Sequence, residues 1–308
     1  MGHDIRFICH RRQEATRCKM KVGTYVGLTL RILVLLMGVA VSCRIGLAGE
    51  QQPGALLGAD DFYPTPEHPV GWLGDFSGRY SGAHDFPLDW DSATGKNILW
   101  KTALPNWGHS SPIVVGKKVF LTCEDDLTVC LDAETGSILW RKAGDGFKYK
   151  GSTYHNAAGW SMGTVCSDGK SIFVTHYNGV VVSYDLDGNV RWKKEAPPHG
   201  WSGASPVLID GKFVVLQGGG CKLRPPRGGP RELAAYSCAD GALVWRNDKI
   251  LMTGWHYTGV SPVWVEGRPY LFNWCGQFFD ARDGRLVRGE RRSPSSSEGS
   301  SISEMKAA

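Results

Sequence analysis

The sequence predicts an all-β protein, a β-propeller of four-stranded antiparallel blades, and three observations predict it. The 308 residues include 40 glycines and 12 tryptophans, a pairing that suits turn-rich, repeated β-structure. One unit with the same turn and the same closing tryptophan recurs along the chain. Within that unit, short β-branched runs alternate in burial preference with period two and are separated by glycine-containing turns.

The best copy opens at Ser111-Pro112 and continues as Ile113-Val114-Val115, Gly116-Lys117, then Lys118 to Leu121. Two apolar runs joined by Gly-Lys read as a hairpin. Leu127, Val129 and Leu131 alternate with Thr128, Cys130 and Asp132, which is the pattern of a third strand. Glu134-Thr135-Gly136 turns the chain, and Ile138-Leu139-Trp140 returns as a fourth. Four short antiparallel strands in about 30 residues make one propeller blade.

A second copy runs from Gly163-Thr164-Val165 to Trp192, and a third from Ser205-Pro206 to Trp245. A fourth runs from Ser261-Pro262 to Leu286-Val287 without a closing Trp. Upstream, Ala93 to Trp100 supplies only the last strand of an earlier copy. The count is thus about four blades plus one extra strand, an incomplete ring. Trp100, Trp140, Trp192 and Trp245 are 40, 52 and 53 residues apart, a drift explained by insertions at 143–160 and at the Pro/Gly-rich 218–231. The glycine ahead of each Trp accepts a positive φ, and the Trp can bury a large face between neighbouring sheets.

The first 50 residues hold eight Lys or Arg against three Asp or Glu, leaving 27 of each sign in the remainder. A formally neutral body removes the main support for nucleic-acid capture. The basic start leads into an apolar run from Val26 to Val41, interrupted only by Arg31. That run is short for a transmembrane helix and suits an export signal. Gly46-Leu47-Ala48 offers small residues at the two positions a signal peptidase reads, so residues 1–48 are expected to be a signal peptide or membrane anchor. Met20 is an alternative start, and Cys43, after Ala40-Val41-Ser42, is an alternative lipidation site. The domain reading is completed by a lead-in over 49–95, the repeats over 96–289 and a Ser/Arg/Pro-rich disordered tail over 290–308.

The Ser-Pro strand opening, the glycine hairpin, the Asp-Ala-x-Thr-Gly turn and the Trp four residues past the turn glycine resemble the PQQ-like, quinoprotein-type β-propeller repeat. The stretch from Asn97 to Pro105 followed by Gly108-His109-Ser110-Ser111-Pro112 is similar to exported members common in planctomycete-like bacteria, and Gly71 to Arg79 resembles their lead-in. The alternative, a WD40 repeat, has Trp-Asp at a strand end, and Trp90-Asp91 occurs once. The resemblance implies seven or eight blades in a full ring. For dehydrogenase members it implies a quinone held between a Trp and an adjacent-cysteine disulfide, with Ca²⁺ on Glu, Asn and Asp. This sequence has no adjacent cysteine pair, so neither quinone nor calcium is expected, and no catalytic, cofactor-binding or metal residue is assigned.

Other constellations read as structure. His109, His155, His176, His199 and His256 lie near blade entrances but lack His-x-His or His-x₃-His spacing, so hydrogen bonding in loops is expected over metal binding. Asp132, Asp185 and Asp280 occupy matching turn positions, where a side-chain carboxylate caps the turn. Gly218-Gly219-Gly220 and Gly228-Gly229 lack the Lys-Ser/Thr of a phosphate loop. Lys222, Arg224, Arg227 and Arg231 beside them read as solvated loop charge. Cys123 and Cys130, which flank an acidic hairpin, are the only local disulfide candidates, and buried free thiols are expected instead. The expectation is an exported, non-enzymatic binding or scaffold module for a protein or glycan partner. The alternatives are a quinone-dependent alcohol or sugar dehydrogenase and a truncated propeller fragment. Among its relatives by resemblance is an outer-membrane assembly lipoprotein that works by binding.

Overall fold

The computed structural model describes residues 4–7, 55–82, 87–124, 126–144, 163–176, 180–195, 204–218, 231–251 and 259–289. Its regular structure is all β. The strands are β1 (Asp4–Phe7), β2 (Trp100–Ala103), β3 (Ile113–Val115), β4 (Lys118–Cys123), β5 (Leu127–Asp132) and β6 (Ile138–Ala143). They continue as β7 (Cys166–Ser167), β8 (Ser171–Thr175), β9 (Val180–Asp185), β10 (Val190–Glu195), β11 (Val207–Ile209) and β12 (Lys212–Gly218). The last are β13 (Arg231–Ser237), β14 (Leu243–Asn247), β15 (Val260–Val265), β16 (Arg268–Asn273), β17 (Phe278–Asp280) and β18 (Leu286–Arg288). No described helix is long and apolar enough to cross a membrane.

Strands β3 to β18 form four antiparallel meanders of four strands each, in sequence order. These are the four blades of an open propeller, as the repeat predicts. The extra strand β2 pairs with β1, register Phe7 to Trp100. Residues 4–7 fall within the expected export segment, whose remainder lies outside the described residues.

Each blade carries a β-bulge between its third and fourth strands. In the first blade Leu131 pairs with Ile138 but Cys130 pairs with Trp140, so Leu139 is the extra residue. The same step skips Arg191 in the second blade, Val244 in the third and Val287 in the fourth. An unpaired extra residue changes which face the next side chain takes. Leu139, Val244 and Val287 are exposed, as are the paired Ile138, Val190 and Leu243 before the bulges, and the position after the bulge is aimed across the gap between blades.

That position is the closing tryptophan, and it joins each sheet to the next. Trp100, Trp140, Trp192 and Trp245 donate their indole N–H to the carbonyls of Ala133, Leu186, Cys238 and Ala281, at 2.9–3.1 Å. Each acceptor is in the last turn of the following blade. A Cβ added to Gly136 would lie 2.5 Å from the Trp100 ring, and one on Gly241 would lie 2.5 Å from Trp192. Only glycine combines that approach with the positive φ both turns use. In the fourth blade the equivalent position is Arg288.

The core lies between the blades. Ile113, Val115, Phe120 and Cys130 of the first blade meet Ile172, Val174, Val182 and Tyr184 of the second, with Trp140 5.8 Å from Phe120 and 6.0 Å from Tyr184. The opposite face of the first blade gathers Val119, Leu121, Cys123, Val129 and Leu131 under Trp100. Cys123 and Cys130 therefore belong to opposite faces of one sheet, and no disulfide joins them. Cys166 and Cys238 are free thiols, and Cys221 lies outside the described residues.

The lead-in packs across the inner edges of the blades. The Tyr63 hydroxyl donates to Gly169 O at 2.8 Å, Val70 forms a bridge with Ser167 in the innermost strand of the second blade, and Phe76 enters the core shared by the second, third and fourth blades. Phe76 has φ +70° and Leu73 φ +57°, unusual for large side chains. Two reciprocal backbone bonds between Gly71 and Gly74 hold this tight turn.

Candidate functional site

Antiparallel meanders place their connections at two ends. The turns after the first and third strands of every blade lie at one end. The connections after the second strand, and the links to the next blade, leave from the other. The turn end follows one pattern in three blades, with Ser237 in place of the capping Asp in the third. Asp132 Oδ1 accepts the backbone N–H groups of Glu134 and Thr135 and the Thr135 hydroxyl, at 2.7–3.0 Å. Asp185 accepts the N–H groups of Asp187 and Asn189. Asp280 accepts that of Arg282 and a pair of bonds from its guanidinium. Backbone donation at Thr135 holds the Asp132 carboxyl below its usual range, and the Arg282 side chain does the same for Asp280. These three carboxylates are turn caps, as their repeat positions predict.

The loop end differs from blade to blade. Insertions predicted at 143–160 and 218–231 connect strand ends here, and so do the segments carrying His155, His199 and His256. Residues 145–162 and 219–230 and these three histidines lie outside the described residues. His109 is described and packs edge-on to Trp107, with ring centroids 5.5 Å apart.

His176 is a buried polar group at this end. It follows β8 in the second blade, and its Nδ1 lies 3.0 Å from Asp126 Oδ1, in the hairpin turn of the first. The side chain is 1% exposed, and Nε2 has no hydrogen-bond partner. Asp126 has φ +59°, and its carbonyl accepts the Gly144 N–H at 2.9 Å. A Cβ on Gly144 would fall 2.3 Å from Asp126 Oδ2 and 2.4 Å from His176 Nδ1, so the link out of the first blade admits only glycine at this point. The carboxylate orients the ring, and when Nδ1 carries the proton Nε2 presents a lone pair. Thr128 Oγ1, in β5, is also buried without a partner. The fourth blade has a comparable latch, in which buried Gln277 accepts Leu251 N–H at 2.6 Å and donates to Lys249 O at 2.9 Å. Such groups tie hairpin turns to inter-blade links. Among the described residues no group of three or more His, Cys, Asp or Glu side chains is placed to hold a metal ion. His176 was visible in the sequence as a loop histidine. Its partner Asp126, fifty residues earlier, was visible only as part of an acidic hairpin.

The bulged blades, the glycine-seated tryptophans and the Asp-capped turns define a β-propeller of the PQQ-repeat class. The profile of the family described as outer membrane protein assembly factor BamB matches residues 88–159 and 129–307, and the chain belongs to that family. Solved structures resemble it at low identity. BamB from Moraxella catarrhalis is 18% identical over 62% of this chain and 52% of its own, with a TM-score of 0.38. The quinohemoprotein alcohol dehydrogenase from Comamonas testosteroni is 13% identical over 59% of this chain and 34% of its own, with a TM-score of 0.46. The chain thus spans about half the length of the first and a third of the second. No curated protein sequence matches it.

Proposed function

We propose that this chain is an exported β-propeller that works by binding and not by catalysis, taking a protein or glycan partner at its loop end. One observation carries the reading. The side chains that recur in successive blades serve to cap turns and join sheets. What varies between blades is the set of connections at the loop end, and variable connections on a rigid scaffold are where binding residues concentrate. The description of the family as an outer-membrane assembly factor favours a protein partner in that machinery.

The reading leaves out the quinone of the dehydrogenases that the repeat resembles. Asp132, Asp185 and Asp280 are occupied in turns, and the sequence offers no adjacent cysteines to cover the ring plane. Two experiments test the proposal. Immobilised full chain is expected to retain purified outer-membrane assembly components from solution, while giving no dye reduction with alcohols or glucose after incubation with quinone and Ca²⁺. Turnover in the second assay, with no retention in the first, overturns it. N-terminal sequencing of the exported protein is expected to begin after Ala48, and an intact residue 1–48 segment refutes cleavage.

A further inference from the structure

We infer that the pocket between the lead-in and the inner strands of the third and fourth blades binds a single positive charge carried on an apolar stem. The pocket has a volume of about 220 Å³, and Leu57, Phe62, Phe76, Leu208 and Trp264 line it. Glu67, His68 and Asp75 stand at the same pocket and are exposed to solvent.

Size, charge and wall chemistry select the ligand. Sites for drug-sized molecules run from roughly 300 to 1,000 Å³, so this one takes a group the size of one side chain. Its lining contains two carboxylates and no Lys or Arg. Neither Glu67 nor Asp75 is ion-paired to a basic residue among the described ones. Asp75 instead accepts bonds from the Ser77 N–H and hydroxyl, at 3.0 and 2.5 Å, which fix the carboxylate and leave its charge uncompensated. Trp264 is 54% exposed on the first strand of the fourth blade, where Leu208 of the third blade is 3% exposed. A half-exposed indole on the wall of a pocket that also carries two carboxylates is the combination that attracts organic cations, since the ring face and the carboxylates both favour positive charge. The apolar walls exclude a bare hydrated ion and favour an amine or guanidinium with a hydrocarbon stem. The tight turn at Leu73 to Phe76 holds Asp75 in place between buried Phe76 and the Ser77 donors. His68 is the one other titratable group on the lining.

The charged group can belong to a free amine or to a basic side chain of a partner. Titrating the full-length protein with benzylammonium, with benzyl alcohol as the neutral control, and with the peptide acetyl-Gly-Arg-Gly-amide separates the sources. Binding is followed by the Trp264 indole NMR signal and by calorimetry. At least one of the two cations is expected to saturate, about tenfold more tightly than benzyl alcohol. Trp264→Leu is expected to weaken it about fivefold, and Glu67→Gln with Asp75→Asn about tenfold. Unchanged far-UV circular dichroism establishes that each variant folds. Benzylammonium alone assigns a small amine, and the peptide alone assigns a partner's side chain. Saturation by neither, equal affinity for benzyl alcohol, or indifference to both variants overturns the inference.

Discussion

Replacing Gly241 by alanine tests the account of how blades are joined. The turn glycine has φ +69° and its added Cβ would lie 2.5 Å from Trp192 Cε3 and 2.6 Å from Cδ2. Holding alanine in the left-handed region costs about 1–2 kcal/mol. The ring cannot stay where it is, so the variant also loses the Trp192 bond to Cys238 O, at 3.0 Å, worth about 1 kcal/mol. It further incurs about 1–3 kcal/mol of overpacking in the core that Trp192 shares with Phe173 and Phe213. The total is about 3–6 kcal/mol. Gly211 is the matched control, because its φ is +67° and nothing lies within 4 Å of its added Cβ. Gly211→Ala should therefore show the backbone cost alone, about 1–2 kcal/mol. Guanidinium unfolding followed by tryptophan fluorescence and circular dichroism gives both values. If Gly241→Ala is no more destabilising than Gly211→Ala, the tryptophan does not join the blades in the way described.

Trp140→Phe keeps a ring between Phe120 and Tyr184 but loses the bond to Leu186 O, so it should cost about 1 kcal/mol beyond its lost area, and Trp140→Ala about 3–5 kcal/mol; a Trp140→Phe cost in thermal melts no larger than its lost area accounts for refutes the hydrogen bond's role. The thiols of Cys130 and Cys238 are pushed up to about 12 by burial, and Cys166 is raised by the same cause. They should react with a disulfide reagent at pH 8 only when guanidinium unfolds the chain, and rapid native labelling at these sites, read by mass spectrometry, contradicts their burial. Asp132, Asp240 and Asp280 have carboxyls held below the usual range, by backbone N–H donors in the first two and by Arg282 in the third. A lowered folded value stabilises above the unfolded value and is lost as pH falls through the folded one. The melting temperature should hold from about pH 7 to 5 and fall below about pH 4, less steeply in Asp280→Asn; a flat profile to pH 3 is the opposing result.

Much of the blade was legible because its signals are local. Gly116-Lys117, Thr135-Gly136 and the alternation through Leu127 to Asp132 concern residues within a few positions of one another, and turn chemistry acts over that range. Turn capping by Asp132, Asp185 and Asp280 was readable for the same reason. The bulge before each tryptophan was not, since Ile138-Leu139-Trp140 reads as a continuous apolar strand. Only the partner strand reveals that Leu139 has no opposite residue. The register step sets which residue after it faces the next blade, Trp140 in the first and Trp245 in the third.

The chain by itself determined the repeated units, the glycines that precede the tryptophans, and the seats of the insertions. Tertiary structure alone decided which blade each tryptophan serves. Trp140 closes its own blade in sequence, yet its nitrogen and its ring are satisfied by the next one, at Leu186 and Gly188. Tertiary structure also decided the pairing of His176 with Asp126 and the meeting of Asp75 with Trp264 around one pocket. The physical reason is common to all three. Each contact depends on how two faces are brought together across 46 or more residues, and no spacing along the chain encodes that approach.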